Sequence, residues 1–455
     1  MGNILTNLLN SAGALSTYTR AFDVIQNNIT NANTPGYASQ DQSLQAASFD
    51  PAQGVGGGVL AGPLIDSRSE YLEQDVRNQQ QLLGNAQQRS TDLSQVQPLF
   101  ALTGTAGISN DLNNFFNSFL DLSVNPNDAG SRQSVLDAAG QVAQSFKQTA
   151  TGIAQVAGNV ATETTDSVAQ VNQLASQIAA LNQQFATNPD ARNDPGLAAQ
   201  LNTALESLSS ISSYSTIKLG DGGVNVFLAG QTPLVLGGQQ LKISSGTSSS
   251  AATIQDSQGN DITSQITTGS LGALIKEQNV TLPGYTAQLN ALAQSFADQV
   301  NGQLAQGVDA NGSAPVTNLF SYDQTNDAAS TLAVTNITPD QIAAASAAAP
   351  GGNGNALAIA QLATAPAANG VTFTEAYGEL GSQVGQDVAN ATNDQTQAQD
   401  LVTQAHQQRS QVSGVNLNAE AAKLLQFQQA YQAVGKLVSV LNDLTQTLMN
   451  MIPNA

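Results

Sequence analysis

Two apolar seams, one at each end of the chain, restrict its architecture more than any other feature. Near the C-terminus, Leu424, Phe427, Tyr431, Val434, Val438, Leu441, Thr445, Leu448 and Ile452 recur at alternating steps of three and four residues. Near the N-terminus, Ile4, Leu8, Leu15, Tyr18, Phe22, Ile25 and Ile29 keep the same register, with Ser11 as a gap. A mean step near ~3.5 residues lays a stripe along a helix that needs a partner stripe. Head and tail are therefore expected to pair, with the middle looped out as separate domains. That pattern suits a building block.

The first helical pattern, from about Gly2 to Ile29, runs into Asn31-Ala32-Asn33-Thr34-Pro35-Gly36-Tyr37 and must stop there. Pro35 disfavours helical backbone at Thr34, and Pro-Gly suits the centre of a type II turn, with Gly36 supplying the positive φ. From Ala38 to Leu64 the composition shifts to Gly, Ser and Gln, which reads as a flexible or extended connection. The glycine run Gly54–Gly58 has no Gly-Lys-Ser/Thr after it, so phosphate binding is not indicated. Helical spacing resumes over Ser69–Gln97 and continues through Ile108, Leu112, Phe115, Phe119 and Leu122 to a break at Asn125-Pro126. Ser131 is read as the cap of a helix ending near Gly152, followed by a separate long helix through Val171, Leu174, Ile178, Leu181 and Phe185. A further helix runs from about Leu197 to Ser212. At Ser215 the period changes from 3.6 to 2: Val224, Val226 and Leu228 alternate between glycine turns, the mark of antiparallel hairpins. Ser244–Thr253 reads as a loop or a solvent-facing edge, and Gly307–Asn318 and Ala343–Gly354 as loops. Helix returns over Leu271–Leu304, interrupted at Pro283-Gly284, and again over Phe373–Ser413. Gly414 marks a break, and Asn418 is read as the cap of the last helix.

The predicted fold class is mainly α with a smaller β-rich middle portion. N- and C-terminal helices pair in a coiled-coil-like inner domain, followed by a long helical-bundle arm and an outer β or mixed domain. The boundaries are 1–64 for the N-terminal helix, turn and extended connection, 65–212 for the helical arm, 213–355 for the β-rich middle, 356–413 for the returning arm and 414–455 for the C-terminal helix.

Composition narrows the function classes. Thirteen Lys plus Arg stand against thirty-three Asp plus Glu, a net charge of −20, which repels nucleic acid and anionic lipid. Only 10% of residues are charged, so Gln, Asn, Ser and Thr must cover the surface, as suits subunits packed in a polymer. There is no Cys and a single His, His406, set in a helical, Gln-rich segment, which nearly excludes Cys-His and Ser-His nucleophile pairs and His-rich metal sites. Asp309-Ala310-Asn311-Gly312 lacks the spacing and terminal Glu of a calcium loop. The reading is a non-enzyme without cofactor or metal. No run approaches the ~18–20 apolar residues of a membrane span. Met1–Leu9 has no basic n-region, so no Sec-type signal is expected.

The stretch Asn27-Asn28-Ile29-Thr30-Asn31-Ala32-Asn33-Thr34-Pro35-Gly36-Tyr37 resembles the signature shared by bacterial flagellar rod, hook and hook-associated proteins. Ser413-Gly414-Val415-Asn416-Leu417, with Glu420-Ala421-Ala422, Leu424-Leu425 and Gln428–Ala433, resembles the partner signature of that superfamily. Within it, Leu112-Asn113-Asn114-Phe115-Phe116 through Asn125-Pro126 and Arg132, and the strand block Gly223–Val226 through Pro233–Val235, are similar to the hook-associated protein 1 family. Two departures are Asn418, where an acidic residue is frequent, and Thr30, where Ala is common.

The resemblance implies a structural subunit whose terminal helices line an inner tube. It further implies a ring of copies at the hook–filament junction, required for filament assembly. The partners it implies are other copies, the hook protein, the filament-side junction protein and a cytoplasmic export chaperone on the C-terminal helix. Export by the flagellar type III system would place the protein outside the cell. Leu8, Leu15, Tyr18, Phe22, Ile25, Ile29, Asn31, Asn33, Pro35, Gly36, Tyr37, Leu424, Phe427, Tyr431, Val434, Val438, Leu441 and Leu448 are the expected assembly interface. Another axial protein of hook or distal rod, or a secreted adhesin-like protein, are the alternatives.

Overall fold

The computed structural model describes residues 2–50, 55–100, 107–248, 251–324, 327–367 and 370–451. Ile452, the last residue of the C-terminal seam, lies outside them. The chain is 67% helical, with its strands gathered in the middle of the sequence apart from one early hairpin.

Helix α1 (Gly2–Thr30) ends as its Asn-rich sequence requires. Tyr37 N–H closes the turn onto Thr34 O at 3.2 Å, and Gly36 takes φ +71° at its third position. The stretch expected to be a flexible or extended connection is instead a hairpin. Strand β1 (Gln40–Ala46) carries short β2 (Phe49–Asp50) and β3 (Val55–Gly56) at its far end and pairs antiparallel with β4 (Val59–Asp66). The polar sequence of β1 hides the alternation that would have announced it.

Helix α2 (Glu70–Val96) leads outward, and α10 (Phe373–Ser413) returns antiparallel beside it, with Leu83 and Ala86 against Ala398 and Val402. Between them lie α3 (Ile108–Val124), α4 (Ala129–Thr187) and α5 (Pro195–Ile211). The four-stranded antiparallel sheet β5 (Tyr214–Lys218), β6 (Val224–Leu228), β7 (Thr232–Leu236) and β8 (Gln239–Gln240) follows. Ser244–Thr253, read as loop or edge, is mostly a further hairpin of β9 (Ser244–Ser248) with β10 (Ala251–Gln255). Helices α6 (Gly269–Lys276), α7 (Leu282–Leu304), α8 (Ala328–Thr331) and α9 (Gly354–Gln361) complete the outer part. A five-residue π turn, Glu277–Thr281, separates α6 from α7, so the interruption falls ahead of Pro283.

Helix α4 corrects the expected pair of helices between Ser131 and Phe185: it is one helix of 59 residues. Gly152 is not a stop. A Cβ there would sit 2.6 Å from Leu99 Cδ2, so the glycine marks a close approach within a continuous helix. Its cap is Asp128, whose carboxylate accepts Ser131 N–H at 2.7 Å; Ser131 lies inside the helix.

That length lets α4 serve two cores. Its N-terminal half (Val135–Val160) packs with α3, α7, α9 and the start of α10 around Phe115, Phe116, Phe119, Phe146, Phe296, Phe320 and Phe373. Phe115 and Phe296 lie 5.3 Å apart edge to face, and Phe296 and Phe320 5.1 Å apart. The C-terminal half (Val168–Phe185) packs against α5, α6 and the strands through Leu208, Val226, Leu228, Leu234 and Ile254. The alanine-rich segment read as a loop is partly core: Ala343 and Ala344 are fully buried. Polar side chains satisfy its backbone, with Arg132 donating to Ile342 O at 2.7 Å and Asn355 Nδ2 to Ala343 O at 2.7 Å.

Candidate assembly interface

After Gly414, helix α11 (Leu417–Met451) turns back along α1. Asn416, rather than the expected Asn418, supplies the cap: its Oδ1 accepts Asn418 N–H at 3.0 Å and Ala419 N–H at 3.2 Å. The helices run antiparallel. Asn28 near the end of α1 meets Glu420 near the start of α11, while Asn10 and Ala14 share a groove with Leu437 and Leu441. The seam closes through rings, Tyr18 with Phe427 at 6.0 Å and Phe22 with Tyr431 at 5.9 Å.

Apolar closure is partial. Ile25 and Leu441 are buried; Leu8, Leu15, Tyr18, Phe22, Phe427, Val434 and Val438 are half-buried; Ile29, Leu424, Tyr431 and Leu448 are exposed. A second set on α11, Leu425, Leu437, Val440, Leu444 and Met449, is exposed as well.

What locks the pair is polar. Asn28 is fully buried. Its Nδ2 donates to Gln40 O at 2.8 Å and to Glu420 Oε2 at 3.1 Å. Its Oδ1 accepts Gln40 N–H at 3.0 Å and Tyr37 O–H at 2.9 Å. One amide thereby ties α1, the turn, β1 and α11, using every hydrogen-bonding site it has. Lys423 Nζ stands 3.4 Å from Glu420 Oε1 and 3.3 Å from Asp41 Oδ2, so the buried carboxylate is paired and the hairpin joined to the helix. Burial, with Asp66 and Glu420 adding to it, pushes the Tyr37 hydroxyl up to about 12, which keeps it a donor. The spacing argument passed over Asn28 and Glu420 because it counted apolar residues. The signal was a polar side chain three residues after Ile25, on the seam's own face.

The turn does different work. Pro35 O accepts from Thr203 Oγ1 at 3.3 Å, and Gly36 O from Arg68 Nη2 at 2.8 Å. A Cβ on Gly36 would lie 2.6 Å from Ala199 O, so the glycine lets the turn seat on α5. Asn31 bonds back to Asn27, and Asn33 is exposed. Arg68 Nη1 continues to Glu73 Oε1 at 2.8 Å, whose other oxygen is 3.2 Å from Arg409 Nη1. Arg409 also reaches Glu206 Oε2 at 2.7 Å, and His406 stands 3.5 Å from Glu206. Ser413 adds a further node: its carbonyl accepts Ser39 N–H at 2.8 Å and the Ser67 hydroxyl at 3.2 Å, and its own hydroxyl donates to Ser67 O at 3.1 Å. The structure thus divides the expected residues into a helix pair and a turn that anchors the pair to the arm.

Residues 93–320, half of the chain, match the family described as flagellar hook-associated protein FlgK helical domain. The chain belongs to that family of flagellar hook-associated proteins. Its ends match two rod families: residues 8–37 the flagella basal body rod protein, and residues 406–451 the C-terminal part of the FlgEFG basal body rod proteins. Flagellar hook-associated protein 1 of Bacillus subtilis is 26% identical over 96% of both chains. The protein of that name from Salmonella typhimurium is 25% identical over 98% of this chain and 100% of its own. Among solved structures, the flagellar hook junction protein FlgK from Burkholderia pseudomallei superposes with a TM-score of 0.68 at 20% identity, covering 75% of this chain and 100% of that one. The chain is a structural protein of the bacterial flagellum, with the mainly helical fold of that family. No described helix is long and apolar enough to cross a membrane.

Proposed function

We propose that copies of this chain form the junction ring between hook and filament, and that the filament does not assemble without it. The observation that carries this reading is the antiparallel α1–α11 pair, locked at Asn28 and Glu420 while an apolar stripe on α11 faces outward. The stripe is covered when pairs from neighbouring copies stack around a tube, and Leu8, Tyr18, Phe22, Phe427, Val434, Val438, Leu441 and Leu448 carry the packing within and between pairs. Residues 1–64 and 414–455 form the inner part, 65–212 and 356–413 the arm, and 213–355 the outer part. The hook protein sits below the ring and the filament-side junction protein above it.

The chain reaches that place outside the cell through the flagellar type III channel, with a cytoplasmic chaperone covering α11 beforehand. Freedom from disulfides and a surface of Gln and Asn support passage as an unfolded thread. Deletion of the gene is the test. Bare hooks with flagellin released to the medium are expected; normal filaments on the deletion strain refute the reading.

A further inference from the structure

Where α2, α4, α10 and the π turn meet, the structure buries more carboxylates than it pairs. Asp92 on α2 is 1% exposed and its Oδ2 has no hydrogen-bond partner. The Gln88 amide nitrogen is shared between Asp92 Oδ1 at 3.0 Å and Glu163 Oε2 on α4 at 2.6 Å. Glu277, in the π turn, is fully buried with Arg89 Nε 3.8 Å away. Arg89 is divided further, with Nη1 3.4 Å from Asp394 on α10. Asp387 of α10 accepts Tyr285 O–H from α7 at 2.6 Å. Arg89, Lys276, Glu277, Tyr285 and Asp387 border a cavity of about 230 Å³. Asp92 and Glu277 are the buried acids of this joint, and Arg89 is shared between Glu277 and the half-exposed Asp394.

A buried carboxylate such as Asp92, with no ion pair among the described residues, is relieved by taking up a proton. We propose that this joint is a proton-controlled lock: with Asp92 protonated the α2–α4 contact is closed, and ionisation of Asp92 loosens α2 against α4 within the arm as the medium turns alkaline. A protonated Asp92 carries no charge to keep from water, and Gln88 then bridges one neutral and one charged acid.

Burial pushes the Asp92 carboxyl up to about 7; Gln88 opposes this, and Glu163 and Glu277 reinforce it. Burial raises Glu277 too, against Thr281, Arg89 and Lys276. For an acid raised on folding, the native state holds the extra proton between the two values. Stability therefore falls as pH rises from about 4 to about 7, at up to tenfold in the folding constant per pH unit, and is level on either side.

The test is denaturant unfolding of the full chain across that window, wild type beside Asp92→Asn, whose side chain is neutral at every pH. The ratio of variant to wild-type folding constants should climb by about a thousandfold from the acid to the alkaline end. Parallel profiles overturn the proposal. Carbon-13 NMR of aspartate carboxyls in the wild type keeps the question answerable if the variant does not fold. A carboxyl titrating near 7 supports the lock, and titration of every aspartate below about 5 overturns it.

Discussion

Replacing Asn28 by Ala strikes the one group that belongs to α1, β1, the turn and α11 together. The substitution leaves Gln40 N–H and Gln40 O without their side-chain partner and takes a donor from the buried Glu420 carboxylate. A buried polar group left unmatched costs about 1–3 kcal/mol. Lys423 still pairs with Glu420, and the half-buried Tyr37 hydroxyl can turn to water, so the low end applies to each of the others. The sum over the two Gln40 groups is about 2 kcal/mol. At 1.4 kcal/mol per factor of ten, the α1–α11 pair should open about 25-fold more often. The outer cores touch none of these atoms, so hydrogen exchange at α11 near Glu420 reads the effect better than whole-chain melting does. Asn28→Asp should be at least as damaging at neutral pH, because a second carboxylate would share the pocket with Glu420. Equal exchange rates in α11 for Asn28→Ala and wild type would refute the claim that this amide locks the ends.

Gly84→Ala tests the seating of α2 on α5: the added Cβ would lie 1.9 Å from Ser210 O, so the helices must part, and thermal unfolding should report a loss of at least about 1–3 kcal/mol. Melting indistinguishable from wild type would show that the contact is soft. Phe115→Ala removes a fully buried ring that touches Phe116, Phe119, Phe296 and Phe320. Denaturant midpoints should fall by the equivalent of about 3–5 kcal/mol, and a loss below about 1 kcal/mol would mean that the aromatic cluster repacks.

The parts of this fold that were legible in the sequence are those written in apolar spacing. The 3.5-residue seams placed α1 beside α11, and the same logic gave α10 its limits at Phe373 and Ser413. The alternation of Val224, Val226 and Leu228 gave β6. What escaped was built from residues whose meaning depends on a distant neighbour. Gly152 read as a stop because glycine usually costs a helix about 1 kcal/mol, yet it sits inside the helix where Leu99, far along the chain, packs close against it. The 40–66 hairpin pairs the Gln-rich β1, whose side-chain pattern carries no signal, with β4, which Gly62 and Pro63 interrupt. Ala343 and Ala344 are loop, as read, but their burial did not show, because nothing local reveals that Arg132 and Asn355 will satisfy the surrounding carbonyls. At the interface, apolar counting found the rings and missed the amide between them.

That amide explains why the ends can be well defined and incomplete at once. Two helices held only by apolar contact can slide by a turn at small cost, because one leucine replaces another. A buried Asn with fixed partners on α11 and β1 admits one register, as a lone polar residue does in a coiled-coil seam. The register in turn decides which side chains face outward. Among the described residues of α11, Leu441 is the only apolar one fully enclosed, while Leu425, Leu437, Val440, Leu444 and Met449 are each about half exposed or more. At roughly 1.5–3 kcal/mol for burying a large apolar side chain completely, covering the remaining half of these five is worth on the order of 5 kcal/mol per copy. A gain of that size is too small to hold a lone pair of copies together against the cost of association, and large when every copy has neighbours on both sides. On the proposed ring, the polar lock thus chooses the surface, and closure of the ring supplies the stability that the single chain lacks.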